Sequence, residues 1–444
     1  MKNIKFFSTN GKSRSVSFTE ALLKGQAPDL GLYMPEFVPR LSPQFFKDIK
    51  KMEYYEIAFH ILKNFVNIPE EELLKISKEV YNFGIPLEKI YDRKYIMRLD
   101  RGPTCSFKDF ATRMMARLMK YFLQNENKEL IILTATSGDT GSAVANAFYN
   151  LEGIKVVVLF PEKEVSENQR KQMTTLGKNI FSLSVDGKFD DCQAIVKRAF
   201  ADKEFSTLNL SSANSINIGR LLPQTVYYFY AYSRLAKRDE EIVFSIPSGN
   251  FGDMMGGLLA NKMGLPISKF IIATNENDEF PKFLQTGKYK PIVPSKSCIS
   301  NAMNVGHPSN LARLINLYDG QMDEKGNITK QPNMDSIRED IFSVSVSDNE
   351  TRETIKDAYK KYKLILEPHG ATGWNGLQRY LQKEKATLCV SLETAHPSKF
   401  PEEIEKTIGI KPQQSKSISE LKNKKEKYEN ISADYDVFKD WLVG

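Results

Sequence analysis

Histidine is scarce in this chain: His60, His307, His369 and His396 are the four among 444 residues. Their scatter gives no metal-ligand spacing and no serine-histidine-aspartate arrangement, so no metal site is expected. Cysteine is as rare. Cys105, Cys192, Cys298 and Cys389 stand far apart with no CxxC pair, which argues against a zinc ribbon or a dithiol motif and suits a reducing compartment. No uninterrupted apolar run approaches the length of a membrane span, and Met1 to Lys5 has none of the apolar stretch of a signal peptide. The expectation is a soluble, cytoplasmic protein with no membrane partner. Charge of one sign is lacking too: 62 lysines and arginines are interleaved with 55 acids, a net charge of +7. Without a basic stripe of aromatic spacing, nucleic-acid binding has no support.

A hydrophobic content of 41% over this length supports a sizeable core and two or three folding units. The first ninety residues read mainly as helices, over 17–23, 42–51, 54–64 and 69–82. Pro69 followed by Glu70 and Glu71 places a proline and carboxylates at a helix start, the end that the helix dipole makes positive. The pattern breaks at 83–86, so we expect one domain over 1–90 and a second region over 91–444. There, apolar runs at 130–133, 155–160, 180–185, 242–246, 269–273 and 387–392 alternate with helical stretches such as 190–201 and 221–235. This alternation predicts parallel sheets covered by helices on both faces, an α/β class of two doubly wound lobes. The smaller lobe is placed at about 120–235 and the larger is the remainder. The stretch 319–333 reads as an exposed loop, and the lysine-rich 411–427 as a solvated linker or helix face.

Three motifs stand out. Ser106-Phe107-Lys108-Asp109-Phe110 sets a lysine between a hydroxyl and an aromatic at the mouth of a helix. An amine so placed loses part of its hydration, which lowers its pKa and makes it a better nucleophile. Most lysines at helix starts are solvated surface groups, so this motif needs the other two. Thr134-Ala135-Thr136-Ser137-Gly138-Asp139-Thr140-Gly141 follows a strand-like run and precedes an alanine-rich helix. An ordinary N-capped helix needs one hydroxyl or carboxyl there, and this loop has five. Pro247-Ser248-Gly249-Asn250-Phe251-Gly252-Asp253 repeats the strand, glycine loop and helix pattern that offers backbone N–H groups to an anion. Its glycine spacing matches neither a Walker loop nor a dinucleotide fingerprint.

Together these segments resemble the fold-type II family of pyridoxal phosphate enzymes and, within it, the threonine synthases that carry an extra N-terminal domain. Val16-Ser17-Phe18, Gly31 to Pro35, Asn214-Ser215-Ile216-Asn217 with Arg220, Thr274 to Asp278, Ser300-Asn301-Ala302-Met303 and Thr394 to Phe400 carry the resemblance over nearly the whole chain. It implies two α/β lobes with pyridoxal 5'-phosphate between them and a mainly helical N-terminal domain. It implies the conversion of O-phospho-L-homoserine and water to L-threonine and phosphate, the last step of threonine biosynthesis. A related phospho-lyase yielding a 2-oxo acid would carry the same residues.

By the same resemblance, Lys108 condenses with the cofactor aldehyde and moves most protons, and Phe107 helps to desolvate it. Gly249, Asn250, Phe251, Gly252 and Asp253 hold the cofactor phosphate. Thr394 meets the pyridine nitrogen; without the resemblance it reads as a strand-end cap. Thr136, Ser137, Gly138 and Thr140 clamp the substrate carboxylate. Asp139 stands where much of the family has an asparagine facing the cofactor, and the subtype with the N-terminal domain shares that aspartate; its role stays open. Asn214, Ser215, Asn217 and Arg220 form the site for the substrate phosphate, although Arg220 could equally be a surface charge in a helix's first turn. His307 and His369 are assigned structural hydrogen bonding, and His396 is placed beside the cofactor region without a role. The subtype slightly favours a monomer.

Overall fold

Two sheets organise the chain in a computed structural model that describes residues 4–124, 129–237 and 239–444, so that Met1 to Asn3 of the N-terminal stretch lie outside the described residues. The larger sheet has six strands in the order Ile341–Ser345, Ile267–Thr274, Ile242–Pro247, Cys389–Glu393, Lys94–Arg98 and Leu87–Tyr91. All its pairings are parallel except the last, an antiparallel hairpin. The smaller sheet is wholly parallel, in the order Glu429–Ser432, Ile180–Asp186, Ile154–Pro161, Leu130–Ala135 and Asn209–Ser212. Every residue of Leu130–Ala135 and of Ile242–Pro247 is buried, as central strands covered on both faces require. Those are the runs that the sequence marks as strands.

Three edge strands lack that signature. Leu87–Tyr91 and Asn209–Ser212 are only partly buried, and Glu429–Ser432 buries Ile431 alone. This last strand corrects the expected limits of the smaller lobe, which does not stop at 235. The chain's end returns to it: Ile431, Phe438 and Leu442 join Val157, Leu183 and Ile195 in one apolar cluster. A four-residue edge strand with a single inward side chain has no periodicity to read. Two loop expectations also change. Within 319–333, Gln321–Met322 and Ile328–Lys330 pair as a hairpin whose Met322 is buried. The 411–427 stretch is anchored rather than freely solvated, because Glu426 accepts a fork of bonds from Arg170 at 2.9 and 3.1 Å.

The N-terminal region contains the helices Phe18–Lys24, Pro43–Asp48, Tyr54–Leu62 and Glu70–Val80, with a short antiparallel pair, Phe6–Ser8 and Tyr33–Pro35. Ser17 and Ser42 cap the first two helices by accepting the N–H groups of Glu20 and Phe45. This region is packed onto the helix Lys108–Leu123. Tyr54 lies against Phe110 at 5.5 Å between ring centroids, and the Tyr81 hydroxyl donates to the Phe110 carbonyl at 3.1 Å. The loops after Leu130–Ala135, Ile242–Pro247 and Cys389–Glu393 meet at the carboxyl ends of their strands, where parallel sheets place ligands. Among the described residues, no helix is long and apolar enough to cross a membrane.

Candidate active site

Lys108 opens the helix Lys108–Leu123, and a short pairing fixes where that helix starts. Ser106 bridges Ala395, and the Phe107 N–H donates to the Thr394 carbonyl at 2.8 Å. This pairing brings the lysine motif and the Thr394 segment, 286 positions apart in the sequence, onto one wall. Asp109 accepts both the N–H and the hydroxyl of Thr104, which closes the turn ahead of the helix. The Lys108 ammonium lies 4.4 Å from the centroid of the Phe107 ring and 3.8 Å from Oδ2 of Asp139. Burial lowers its pKa, and Asp139 reverses only part of that effect. The first turn of a helix is also the positive end of its dipole, an unfavourable place for an ammonium.

A single cavity receives Lys108, Phe107, Thr136, Ser137, Asp139, Thr140, Asn214, Ser215, Arg220, Gly249, Asn250, Phe251, Gly252, Asp253 and Thr394. Within the 249–253 turn, Phe251 adopts a left-handed conformation at φ 61°, and the helix Gly252–Lys262 starts directly after it. A Cβ on Gly249 would come within 2.7 Å of the Met303 Cα, so the turn must lie bare against the backbone there. The Asn250 side chain is engaged by the scaffold, donating to Ser215 at 2.8 Å and accepting the Ser309 N–H at 2.6 Å. Burial pushes the Asp253 carboxyl up to about 6.

Two expected residues lie outside the cavity. Asn217 is fully buried and spends its amide on the carbonyls of Leu22 and Ser212, while its Oδ1 accepts the Gly219 N–H. It is a helix cap that ties the N-terminal region to the smaller lobe, not a phosphate ligand. Asn217→Ala should therefore cost about 1–2 kcal/mol of stability, read as a lower denaturation midpoint, with the KM of the folded enzyme unchanged. Gly138 is the second. Its φ of 129° and the packing of Gln169 against it shape the loop, and it accepts no role at the cavity wall. Thr136 lines the cavity, but its hydroxyl oxygen already accepts the N–H groups of Gly138 and Gly141.

Arg220 is buried, which excludes the alternative of a surface charge. Its Nη1 donates to the Ala213 carbonyl at 2.6 Å, its Nε has no partner, and among the described residues no carboxylate pairs with it. Burial lowers its pKa to about 10. An unpaired buried guanidinium beside a cavity is ready for an anion.

The structure adds residues that the sequence did not place at the site. His369 lines this cavity, its Nδ1 2.5 Å from Glu367 and its Nε2 accepting the Ala302 N–H at 3.1 Å. His396 belongs to a different, open cavity beside Arg98 and Arg101, which reverses the order expected of the two histidines for nearness to the site. Lys399 is fully buried, its Nζ 2.7 Å from Oδ1 of Asp139. Burial alone would raise the Asp139 carboxyl, but Lys399 and Lys108 hold it well below the usual carboxylate range. Phe189, Gln193 and Gln224 complete the wall. No local pattern separates His369 from other loop histidines. Lys399 lies inside the Thr394 to Phe400 segment, so a buried basic residue there was the one available signal. Among the described residues, no cluster of three or more His, Cys, Asp or Glu side chains could hold a metal.

A family model described as "Pyridoxal-phosphate dependent enzyme" matches residues 79–392. Models described as "Threonine synthase N terminus" and "Threonine synthase, C-terminal" match 5–81 and 370–442. The chain is 39% identical to the threonine synthase of Buchnera aphidicola subsp. Acyrthosiphon pisum over 92% of each sequence. The crystal structure of threonine synthase from Escherichia coli superposes with a TM-score of 0.90 at 36% identity, covering 99% of both chains. The pyridoxal phosphate-bound threonine synthase from Brucella melitensis superposes with a TM-score of 0.91 at 33% identity, covering 99% of this chain and 98% of that one.

Proposed function

The chain belongs to the threonine synthases of the pyridoxal phosphate-dependent enzyme family, and on that premise we propose that it converts O-phospho-L-homoserine and water to L-threonine and phosphate in the Lys108 cavity. The observation that carries the reading is the convergence of a partly buried amine, a glycine turn at a helix N-terminus and a buried guanidinium with no carboxylate partner among the described residues on one cavity. The donor set fits the cofactor. Lys108 offers a partly desolvated amine for its aldehyde, the 249–253 turn offers a bare backbone for its phosphate, and Thr394 offers a hydroxyl for its ring nitrogen. A hydroxyl bonds a neutral ring nitrogen, whereas a carboxylate would favour the protonated one.

When bound, the cofactor supplies the electron sink that lets the substrate's carbon–hydrogen bonds ionise. The protein's part is to bind, orient and move protons. In this reading, Ser137 and Thr140, at the start of the helix Asp139–Phe148, receive the substrate carboxylate, and Arg220 with Asn214 and Ser215 receives its phosphate. Holding both ends of the substrate fixes the reacting carbons beside Lys108. The Lys108 amine, once free, is the base placed to take and return protons, and burial lowers its pKa, which favours the unprotonated form. Phe107, Phe189 and Met303 exclude water from one side of the cavity.

Product analysis with O-phospho-L-homoserine tests the reading. Threonine and phosphate in equal amounts are expected. Phosphate accompanied by 2-oxobutyrate, with no threonine, would assign a phospho-lyase instead. The four buried, unpaired cysteines favour a reducing compartment, in keeping with a cytoplasmic enzyme.

A further inference from the structure

We propose that Lys399 is a positioning residue of this reaction: it holds Asp139 as a fixed, charge-compensated carboxylate beside Lys108, and so keeps the Lys108 amine available in its unprotonated form. The geometry divides the carboxylate between two amines. Oδ1 is bound by Lys399 at 2.7 Å and by the Gln169 side-chain amide at 2.9 Å, while Oδ2 faces Lys108 at 3.8 Å. Lys399 is fully buried and makes a second bond, at 3.0 Å, to the carbonyl of Thr104. Thr104 in turn binds Asp109, the neighbour of Lys108, so Lys399 is tied to the loop that sets the amine as well as to the carboxylate.

A fully buried ammonium is tolerated only when it is paired and hydrogen-bonded, and Asp139 meets that need for Lys399. The same pairing changes what Asp139 does to Lys108. A lone carboxylate at 3.8 Å in a poorly hydrated cavity would stabilise the Lys108 ammonium and suppress the nucleophilic amine. With Lys399 bound to its other oxygen, that attraction is partly offset. The charges that face Lys108 are Asp139 and Asp253, which favour its proton, and Arg220 and Lys399, which oppose it. His369 adds its influence to Asp139 from the opposite wall. Removing Lys399 leaves two carboxylates against one guanidinium, and the balance moves towards a protonated Lys108.

The inference rests on the reading of Lys108 as the reacting amine, and the test keeps the two apart. Competitive acetylation of the full chain, freed of cofactor, is followed across pH by mass spectrometry of the peptide that contains Lys108. Lys399→Met should raise the Lys108 midpoint by about one pH unit, a roughly tenfold loss of reactive amine at fixed pH. Lys399→Arg should hold the midpoint near that of the unsubstituted chain. Asp139→Asn should lower it, and the Asp139→Asn/Lys399→Met pair should stay within about threefold of Asp139→Asn alone, because Lys399 acts through a carboxylate that is already gone. A midpoint unmoved by Asp139→Asn would overturn the proposal, even where Lys399→Met does not fold. A Lys399→Met shift that persists in the double variant would also overturn it, since the effect would not pass through Asp139. Borohydride mapping of the cofactor to another lysine would sink the reading of Lys108 while leaving these titration shifts in place.

Discussion

Lys108→Ala will yield a folded protein with no covalently held cofactor and a turnover reduced by about 10⁴-fold or more. In the proposed reading one side chain supplies both the cofactor linkage and the proton transfers, so both are lost together. The fold should not suffer. The ammonium sits in the first turn of its helix, where the dipole opposes a cation, and it projects into a cavity rather than into the core. Alanine is also the better helix former. The melting temperature of the cofactor-free variant should therefore equal or exceed that of the cofactor-free parent. Borohydride reduction of the parent, followed by peptide mapping, should mark Lys108. A mark on Lys399, the other buried lysine beside Asp139, would exchange the roles of the two amines.

Arg220→Met should weaken substrate recognition, and it also removes one of the two cations that oppose the Lys108 proton. Losing a buried charge-assisted partner of a phosphate costs about 2–5 kcal/mol, which corresponds to a fall in kcat/KM of about 30- to 5,000-fold. Cofactor loading should be unchanged, because the cofactor turn and Lys108 lie elsewhere on the cavity wall. Stability should be equal or higher. In the substrate-free protein, Arg220 is a buried cation held by one carbonyl, with an unpaired Nε and no carboxylate partner among the described residues. Burial depresses its pKa to about 10, the signature of a charge that folding disfavours. Methionine removes that cost while keeping most of the volume. Thermal melts and steady-state kinetics check the two halves, and an unchanged kcat/KM would remove Arg220 from the substrate phosphate site.

Legibility from sequence followed the physics of each element. Leu130–Ala135, Ile154–Pro161 and Ile242–Pro247 are apolar almost throughout because both faces of a central parallel strand are covered, and such runs stand out. Glu429–Ser432 and Leu87–Tyr91 sit at sheet edges with few inward side chains, so pairing rather than composition makes them strands. The same division holds at the site. The glycine turn at 249–253 and the hydroxyl loop at 136–140 announce themselves, because backbone N–H groups can be presented only by residues of that kind. Asn217 has the residue type of an anion ligand and the position of a helix cap, and nothing in the sequence distinguishes the two uses. His369 and His396 differ in the opposite sense: His396, beside the cofactor motif, lines a different cavity, and His369, in the first turn of the helix Pro368–Leu381, lines this one.

By itself, the sequence determined the α/β class through its apolar runs, and its resemblance carried the family and the cofactor, with Lys108 as the proposed reacting amine. The tertiary structure alone decided which polar side chains face the cavity and which are spent holding the scaffold. It made Asn217 a cap, left Arg220 without a carboxylate partner among the described residues, and set Lys399 against Asp139. Such outcomes turn on how segments hundreds of residues apart share one dry space. There every buried charge and amide must find a partner, and which partner it finds is not written in any local stretch of chain.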